Sequence, residues 1–463
     1  MSRPLLLIVL AAAGLRLWRL GASSLTGDEA GCMYFGAFPL NRLVEVILAS
    51  HEVHPPGFFA LVHMWTAVGW NEAVVRFPSA VFGIGTVLAA CWLFRAWDPE
   101  VALPATLLMA VGTYPIQASR ELRMYSLLAL LITVALGALY RWLRSGRIGW
   151  LAVFSGCTAV SFWIHYLSFF ALPVAFSWVL ACRPRWSLRW MVAVAVAGLP
   201  FCLWLPTMRL QAQSQNMLLR PPPGPAHVVE LLGRMAVGDV GPVDSLWLTA
   251  MGAGALLLVG VALRRRPGEP ERLALLWLAV PIGILFLLSV LTSARLFEFK
   301  YFSWAMPGLA WLLVRGLQRL GRAGPWVLGG IVVLNLINYW TAVAPAHRYG
   351  PDWRTAGKAL RQWSGPEVLV LVHPSMMAQP LIYYGIQPQQ MQPVDALDRE
   401  ELGRRVAGHR TVYLVTTPNH PFVIASRLEW MLDEELVREQ AWELPARLPS
   451  GVIRLIRYRV GGP

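Results

Sequence analysis

Two adjacent carboxylates, Asp28 and Glu29, follow the first long apolar run of this chain, within GASSLTGDEAGCMYFG. Ionisable groups beside a bilayer are costly and tend to be functional. Neighbouring residues on a helix point about 100° apart, so the pair is expected to divide its labour, one carboxylate at a reacting centre and the other positioning. The plain alternatives are an acid that meets interfacial water, or a helix start capped behind Thr26 and Gly27. Further on, His54-Pro55-Pro56 opens a second segment. Two prolines suit a first helical turn, where N–H groups are not needed. That puts His54 at a helix mouth, able to meet a phosphate oxygen or a metal. His51 and Glu52 precede it, making Glu52 and His54 candidate metal ligands, although spacing within a loop is no metal signature. A histidine that caps a turn is the simpler account of His54.

Arg120, Glu121, Arg123 and Tyr125 lie in SRELRMYS, between two apolar runs. Arg120 and Arg123 are three apart and share a face if helical. Each would cost about 2.5–3.5 kcal/mol at a bilayer centre. A pair at the interface suits bidentate hydrogen bonding to phosphate oxygens; snorkelling to lipid headgroups is the alternative. His165 and Tyr166, in FWIHYLSFF, fall at a tight helical hairpin as candidate lining residues. Lys300 and Tyr301, in EFKYFSWAMPGLAWLL with Glu298 and Arg295 nearby, put a further cation at the mouth of an apolar run. A lysine there can hold a phosphate as a point charge. Together these groups suit a substrate that is half lipid and half phosphate. Cations would neutralise a leaving phosphate, and a carboxylate would deprotonate an acceptor hydroxyl.

The elements that must position them are membrane helices. The chain has 463 residues, 56% hydrophobic and only 14% charged, with a mean hydropathy of +0.51. Soluble domains carry about 25% charged residues, so a soluble enzyme, a fibrous protein and a disordered chain are excluded. Runs such as LALLWLAVPIGILFLLSVL and IVVLNLINYWTAVA approach or reach the roughly 20 residues that cross a bilayer core. The net charge of +14 invites a nucleic-acid partner, but the basic residues sit in short clusters between apolar runs, where the positive-inside rule puts them. Clusters at Arg95, Arg141–Arg147, Arg183–Arg189, Arg264–Arg272 and Arg315–Arg322 mark the cytoplasmic loops. They imply about eleven spans, at 4–20, 77–95, 100–117, 124–142, 149–165, 167–182, 190–206, 245–263, 273–292, 302–318 and 325–343, in an integral membrane protein. The N-terminus is then cytoplasmic, and the first run is an uncleaved helix because Arg16 and Arg19 follow it with no A-x-A-like site. Five cysteines without CxxC spacing say little about compartment.

Residues 21–76 form an outer loop, with SHEVHPPGFFALVHMWTAVGW read as a helix lying in the interface, where membrane lipids are its neighbours. RPPPGP, in the outer segment 207–244, forms turns. Residues 344–463 hold 14 Lys/Arg and 12 Asp/Glu and no spanning run. There WRTAGKALRQW has helical periodicity, while EVLVLVH, TVYLVTT and VIRLIRYRV read as strands. That alternation predicts a small extracytoplasmic α/β domain over 344–463, behind a transmembrane domain over 1–343.

The ordered set of DE, HPP, RFPSAVFG, SRELRMYSLLAL, HY and KYFSWAMPGLAWLL resembles the family 39 (protein O-mannosyltransferase-like) glycosyltransferases of GT-C fold. The bacterial aminoarabinose transferase that modifies lipid A belongs to the same broad group. PDWRTAGKALR and LIYYG are similar to bacterial members. The resemblance implies a polytopic α-helical GT-C protein of the bacterial inner membrane. It would transfer a hexose or pentose from a polyprenyl-phosphate donor, with inversion, to a lipid, glycan or protein acceptor on the outer face. Carried over by motif, Asp28 is the catalytic carboxylate and Glu29 its partner, while Arg123 and Lys300, with Arg120, take the donor phosphate. Glu121 and Tyr125 shape that pocket, His54 and His165 line it or hold a divalent metal, and Tyr166, Glu298 and Tyr301 line it further. Relatives differ in metal dependence, so the resemblance leaves the metal open. No GxGxxG or P-loop marks a nucleotide pocket, and no nucleic-acid partner is expected. The competing classes are a transporter or flippase for a lipid-linked sugar, a surface-polysaccharide polymerase or ligase of the same fold, and a non-catalytic scaffold.

Overall fold

The computed structural model describes residues 2–50, 52–212, 222–238, 245–264, 266–293, 295–344, 351–363, 365–395, 398–418, 423, 427–444 and 452–460. His51 and, of RPPPGP, Arg220 and Pro221 fall outside the described residues.

Helix α1 (Arg3–Leu17) starts on a first-turn proline. Three short helices follow it, α2 (Gly27–Gly36), α3 (Leu40–Ala49) and α4 (Gly57–Thr66). Ten residues of helix span about 15 Å, half of what a bilayer core needs. Segment 57–66 therefore cannot cross, in agreement with its reading as a helix too short to span. Helix α3 has no counterpart among the expected elements. Leu40, Leu43, Val44, Ile47 and Leu48 form one apolar stripe, buried at Leu43 and Ile47 and exposed along its edge at Leu40, Val44 and Leu48, so the helix is amphipathic and short.

The long apolar runs become α5 (Glu72–Trp97), α6 (Pro99–Val111), α7 (Thr113–Arg120), α8 (Tyr125–Ser145) and α9 (Ile148–Ile164). Next come α10 (Ala171–Cys182), α11 (Ser187–Cys202), α12 (Leu205–Gln211) and α13 (Pro225–Val237). The set closes with α14 (Ser245–Leu263), α15 (Glu269–Leu291), α16 (Met306–Arg319) and α17 (Gly324–Asn338). Among the described residues, five helical segments are long and apolar enough to cross a membrane, or up to seven if each bent pair counts as one span. The bent pairs are α6 with α7, at 51°, and the 184–202 segment with α12, at 72°. Helices α9 and the 166–182 segment are apolar but shorter. The largest helical core includes Trp142, Trp178, Trp277, Trp304 and Trp311, all fully buried, and a second gathers Phe35, Phe58, Phe59 and Phe162 around α2 and α4.

The C-terminal part is a five-stranded sheet in the order β2-β1-β3-β5-β4. Strands β1 (Val368–His373), β2 (Met391–Pro393) and β3 (Thr411–Thr416) run parallel, while β5 (Ile453–Arg459) is antiparallel to β3 and to β4 (Val437–Leu444). The VLVLVH run of β1 is buried almost throughout, as a central parallel strand covered on both faces requires. Its helices are α18 (Trp353–Trp363), α19 (Ala378–Tyr383), α20 (Arg399–Val406) and α21 (Leu428–Glu435).

This sheet unit grips the start of α2. Tyr384 Oη accepts from the Leu25 N–H at 2.7 Å and donates to Glu72 Oε1 at 3.0 Å. Arg354 Nη2 donates to the same Glu72 oxygen at 2.6 Å and to Gly21 O at 3.1 Å. Ser24 Oγ donates to Pro351 O at 2.7 Å. A Cβ on Gly31 would lie 2.9 Å from Gln379 Oε1, so glycine here leaves that amide its place between α19 and α2.

Candidate active site

Helix α2 begins with a capping box. The Glu29 N–H donates to Thr26 Oγ1 at 3.3 Å, and the Thr26 N–H donates to Glu29 Oε2 at 2.9 Å. Glu29 is fully buried. Arg76, from α5, meets it with Nε to Oε1 at 2.6 Å and Nη2 to Oε2 at 2.7 Å. The Leu122 N–H adds a bond to Oε1 at 2.9 Å. Burial opposes ionisation of this carboxyl, but Arg76 outweighs it and holds it below its ordinary value. Glu29 thus spends its acceptors on joining α2, α5 and the 121–123 segment.

With Glu29 turned inward, Asp28 turns out. Its side chain is half exposed, and Oδ2 accepts from Lys300 Nζ at 2.7 Å. Lys300 arrives on the 3₁₀ segment Phe299–Ala305, which Tyr114 anchors by donating from Oη to Phe299 O at 2.5 Å. Arg123, 7% exposed, donates from Nη1 to Asp28 O at 3.2 Å and lies 3.6 Å from Cys32 Sγ. The charges of Arg123 and then Lys300 hold the Asp28 carboxyl well below the usual carboxylate range. Glu121 behaves in the opposite way. Burial, and then the negative charge of Glu29, push it up to about 7.

Rings wall this cleft. Arg123 lies 5.6 Å from the centre of the Tyr125 ring. Tyr125 is 5.7 Å from His165 and 6.1 Å from Tyr301, and His165 is 5.9 Å from Tyr301 and 5.0 Å from His54. His165 Nδ1 accepts from the Leu167 N–H at 3.1 Å. His54 Nδ1 is hydrogen-bonded to Glu52 Oε1. Burial works against the charge of Glu52, but the neighbouring His54 outweighs it and the carboxyl stays below its ordinary value. Tyr166 does not face the cleft directly. Its hydroxyl takes the Trp204 N–H at 2.7 Å and bonds to Gln211 Oε1. Gln211 Nε2 in turn donates to His54 O, at 3.2 Å, and to Glu52 O.

Arg120 lies elsewhere. Its Nη1 donates to the carbonyls of Leu15, Arg16 and Trp18 at 3.2, 3.0 and 2.8 Å, the orphan acceptors at the end of α1. The shared helical face expected for Arg120 and Arg123 does not form, because α7 ends at Arg120 and Glu121 is extended. Glu298 caps the 299–305 segment, its carbonyl accepting from the Tyr301 N–H at 3.0 Å. Arg76, Gln211, Trp204 and Tyr114 were not among the expected site residues. Arg76 opens the RFPSAVFG motif but carries no expected role, Trp204 and Tyr114 sit in apolar runs whose pattern signals only packing, and Gln211 lies in the outer segment with no local signal.

Among the described residues no three His, Cys, Asp or Glu side chains gather to hold a metal ion. Glu52 and His54 bond each other, and Asp28 is held by Lys300. That falls short of the three protein ligands a catalytic zinc needs, so no step is routed through a metal.

The fold is that of the GT-C glycosyltransferases. Among solved structures it is similar to ArnT from Cupriavidus metallidurans bound to undecaprenyl phosphate, at 14% identity over 100% of both chains, with a TM-score of 0.61. It is also similar to the Archaeoglobus fulgidus oligosaccharyltransferase solved with Zn and sulfate, at 12% identity over 94% of this chain and 71% of that one, TM-score 0.56. A third is arabinofuranosyltransferase AftD from Mycobacteria, at 13% identity over 100% of this chain and 42% of that one, TM-score 0.53. No family model and no curated protein matches the sequence.

Proposed function

We propose that this chain is a membrane glycosyltransferase. It moves a sugar from a polyprenyl-phosphate donor to an acceptor hydroxyl or phosphate, on the outer face of a bacterial inner membrane. The reading includes about eleven spans, a cytoplasmic N-terminus, a transmembrane catalytic domain over 1–343 and an extracytoplasmic domain over 344–463. The fold shared with ArnT, whose solved structure holds undecaprenyl phosphate, supports the donor class.

One observation carries the chemistry: a half-exposed Asp28 carboxylate sits against two cations, Lys300 and Arg123, while its neighbour Glu29 is locked away. At rest the cations make Asp28 a weak base. A donor phosphate draws both of them toward its own oxygens, and the basicity of Asp28 rises as their charge is shared. The acceptor oxygen then attacks C1 of the sugar while its proton passes to Asp28. The C1–O bond to phosphate breaks, and the polyprenyl phosphate leaves with that electron pair, neutralised by Arg123 and Lys300. A single displacement of this kind inverts C1. General-base assistance contributes about 10²–10⁴-fold, and preorganised charge in a low-dielectric cleft a comparable or larger share.

The test is incubation of purified protein with radiolabelled polyprenyl-phosphate sugars and cell-envelope fractions. Label moving from lipid to an acceptor supports the reading. No donor consumed with any acceptor overturns it.

A further inference from the structure

A separate polar cluster lies inside the helical bundle, among α1, α5, α8 and the 299–305 segment. Arg16, Gly83, Thr86, Ser126 and Ser303 line a cavity of about 20 Å³ there. Arg16 is 1% exposed. Its Nη1 donates to Ala110 O at 2.9 Å and Ala12 O at 3.2 Å, and its Nη2 to Met109 O at 3.1 Å. Its Nε, together with the buried hydroxyls of Ser126 and Ser303, has no hydrogen-bond partner among the described residues. A Cβ on Gly83 would stand 2.3 Å from Ser119 Cβ and 3.0 Å from that Nε, so the missing side chain lets Ser119 and the guanidinium pack against α5 here.

The chemistry of these groups selects the occupant. Arg16 Nε can only donate, and each serine brings a hydroxyl proton. The Thr86 hydroxyl already spends its proton on Phe82 O, at 2.9 Å. A buried charge needs a counter-charge. Among the described residues no carboxylate pairs with Arg16, and the charged group bonded to its own carbonyl is another cation, Arg120, at 3.0 Å. A water would satisfy the same groups, accepting from Nε and donating to the serine oxygens, but it brings no charge to offset the guanidinium. An anion accepts from all three groups and neutralises the guanidinium.

We propose that this cavity is a binding site for a monatomic anion, of which chloride is the abundant example, held by Arg16 Nε and the hydroxyls of Ser126 and Ser303. The ion would tie α1 to the first turn of α8, next to Tyr125, and to the segment that carries Lys300. It would brace the platform beneath the cleft without touching substrate. The proposal stands or falls independently of sugar transfer.

The test uses the purified full chain in lipid nanodiscs, melted in sodium chloride and in sodium gluconate of equal ionic strength. Chloride should raise the melting temperature of the wild type, with the logarithmic dependence on concentration that ligand binding to the folded state gives. In Ser126→Ala and in Ser303→Ala the concentration needed should rise roughly tenfold or more, the worth of one hydrogen bond to a charged group. Crystals soaked in bromide should show an anomalous peak between Arg16 Nε and the two hydroxyls. Identical melting in the two salts, an unchanged chloride response in the double variant, or a bromide-free cavity holding only water would each overturn the proposal.

Discussion

Lys300 Nζ lies 2.7 Å from Asp28 Oδ2, although 272 residues separate them in the chain. The contact joins α2 to the segment that precedes α16, and it makes the carboxylate and the cation proposed to bind phosphate one electrostatic unit. Whatever brings a phosphate to Lys300 also changes the basicity of Asp28.

Removing either cation should separate binding from chemistry. Lys300→Ala and Arg123→Ala should each weaken binding of a polyprenyl phosphate, and turnover should fall by about 10²–10³, the usual cost of losing one preorganised charge donor. Equilibrium binding of the lipid phosphate, measured beside single-turnover rates, checks this. Unchanged lipid affinity in both variants would move the phosphate elsewhere.

The Glu29–Arg76 pair should behave as structure. Its side chains are 0% and 4% exposed, and removing one partner of such a pair leaves a buried charge unpaired, at a cost of about 3–5 kcal/mol. Arg76→Met should therefore lower the melting temperature sharply, whereas Lys300→Ala, at a part-exposed site, should not. Thermal denaturation in nanodiscs distinguishes them.

Glu121 should give the folded protein a pH signature. Its pKa is raised from 4.5 to about 7, so between those values the folded state holds a proton that the unfolded state has released. Stability then falls as pH rises through that window and is flat above it. Glu121→Gln should remove this slope and gain relative to the wild type at pH 8 more than at pH 4. Melting curves across that range read it. A slope unchanged in the variant would assign it to another group.

The grip of the C-terminal unit on α2 should be measurable as protection. Tyr384→Phe removes the donor to Glu72, and Arg354→Ala removes the bonds to Glu72 and Gly21. Each hydrogen bond is worth about 1 kcal/mol. Hydrogen exchange over residues 25–36 should quicken in the double variant while β1 and β3 keep their protection. Equal exchange in both proteins would mean that the sheet merely rests on α2.

Much of this was legible in the sequence, for reasons that differ by element. The apolar runs fix where most long helices fall, and VLVLVH and TVYLVT carry enough β-branched residues to read as strands. Strand β2 has three residues, too few for any period, and VREQAWEL in β4 is so polar that its pairing with β5 decides its state. Asp28, Arg123 and Lys300 stood out because charges at the ends of apolar runs are conspicuous, and the structure gathers them. Arg120 stood out by the same criterion and went to the carbonyls of α1 instead. Spacing of three promises a shared face only if the helix continues, and α7 stops at Arg120. Gln211 reaches His54 across 157 residues, and no local pattern carries a contact that distant.

The central claim is that Asp28 performs a proton transfer rather than merely holding the cations. Asp28→Asn keeps the shape and removes the base. The decisive measurement is sugar transfer and polyprenyl-phosphate binding on the same Asp28→Asn preparation. The account predicts turnover reduced by about 10²–10⁴ with lipid binding retained or tightened, because Lys300 is released. Transfer at the wild-type rate would contradict it.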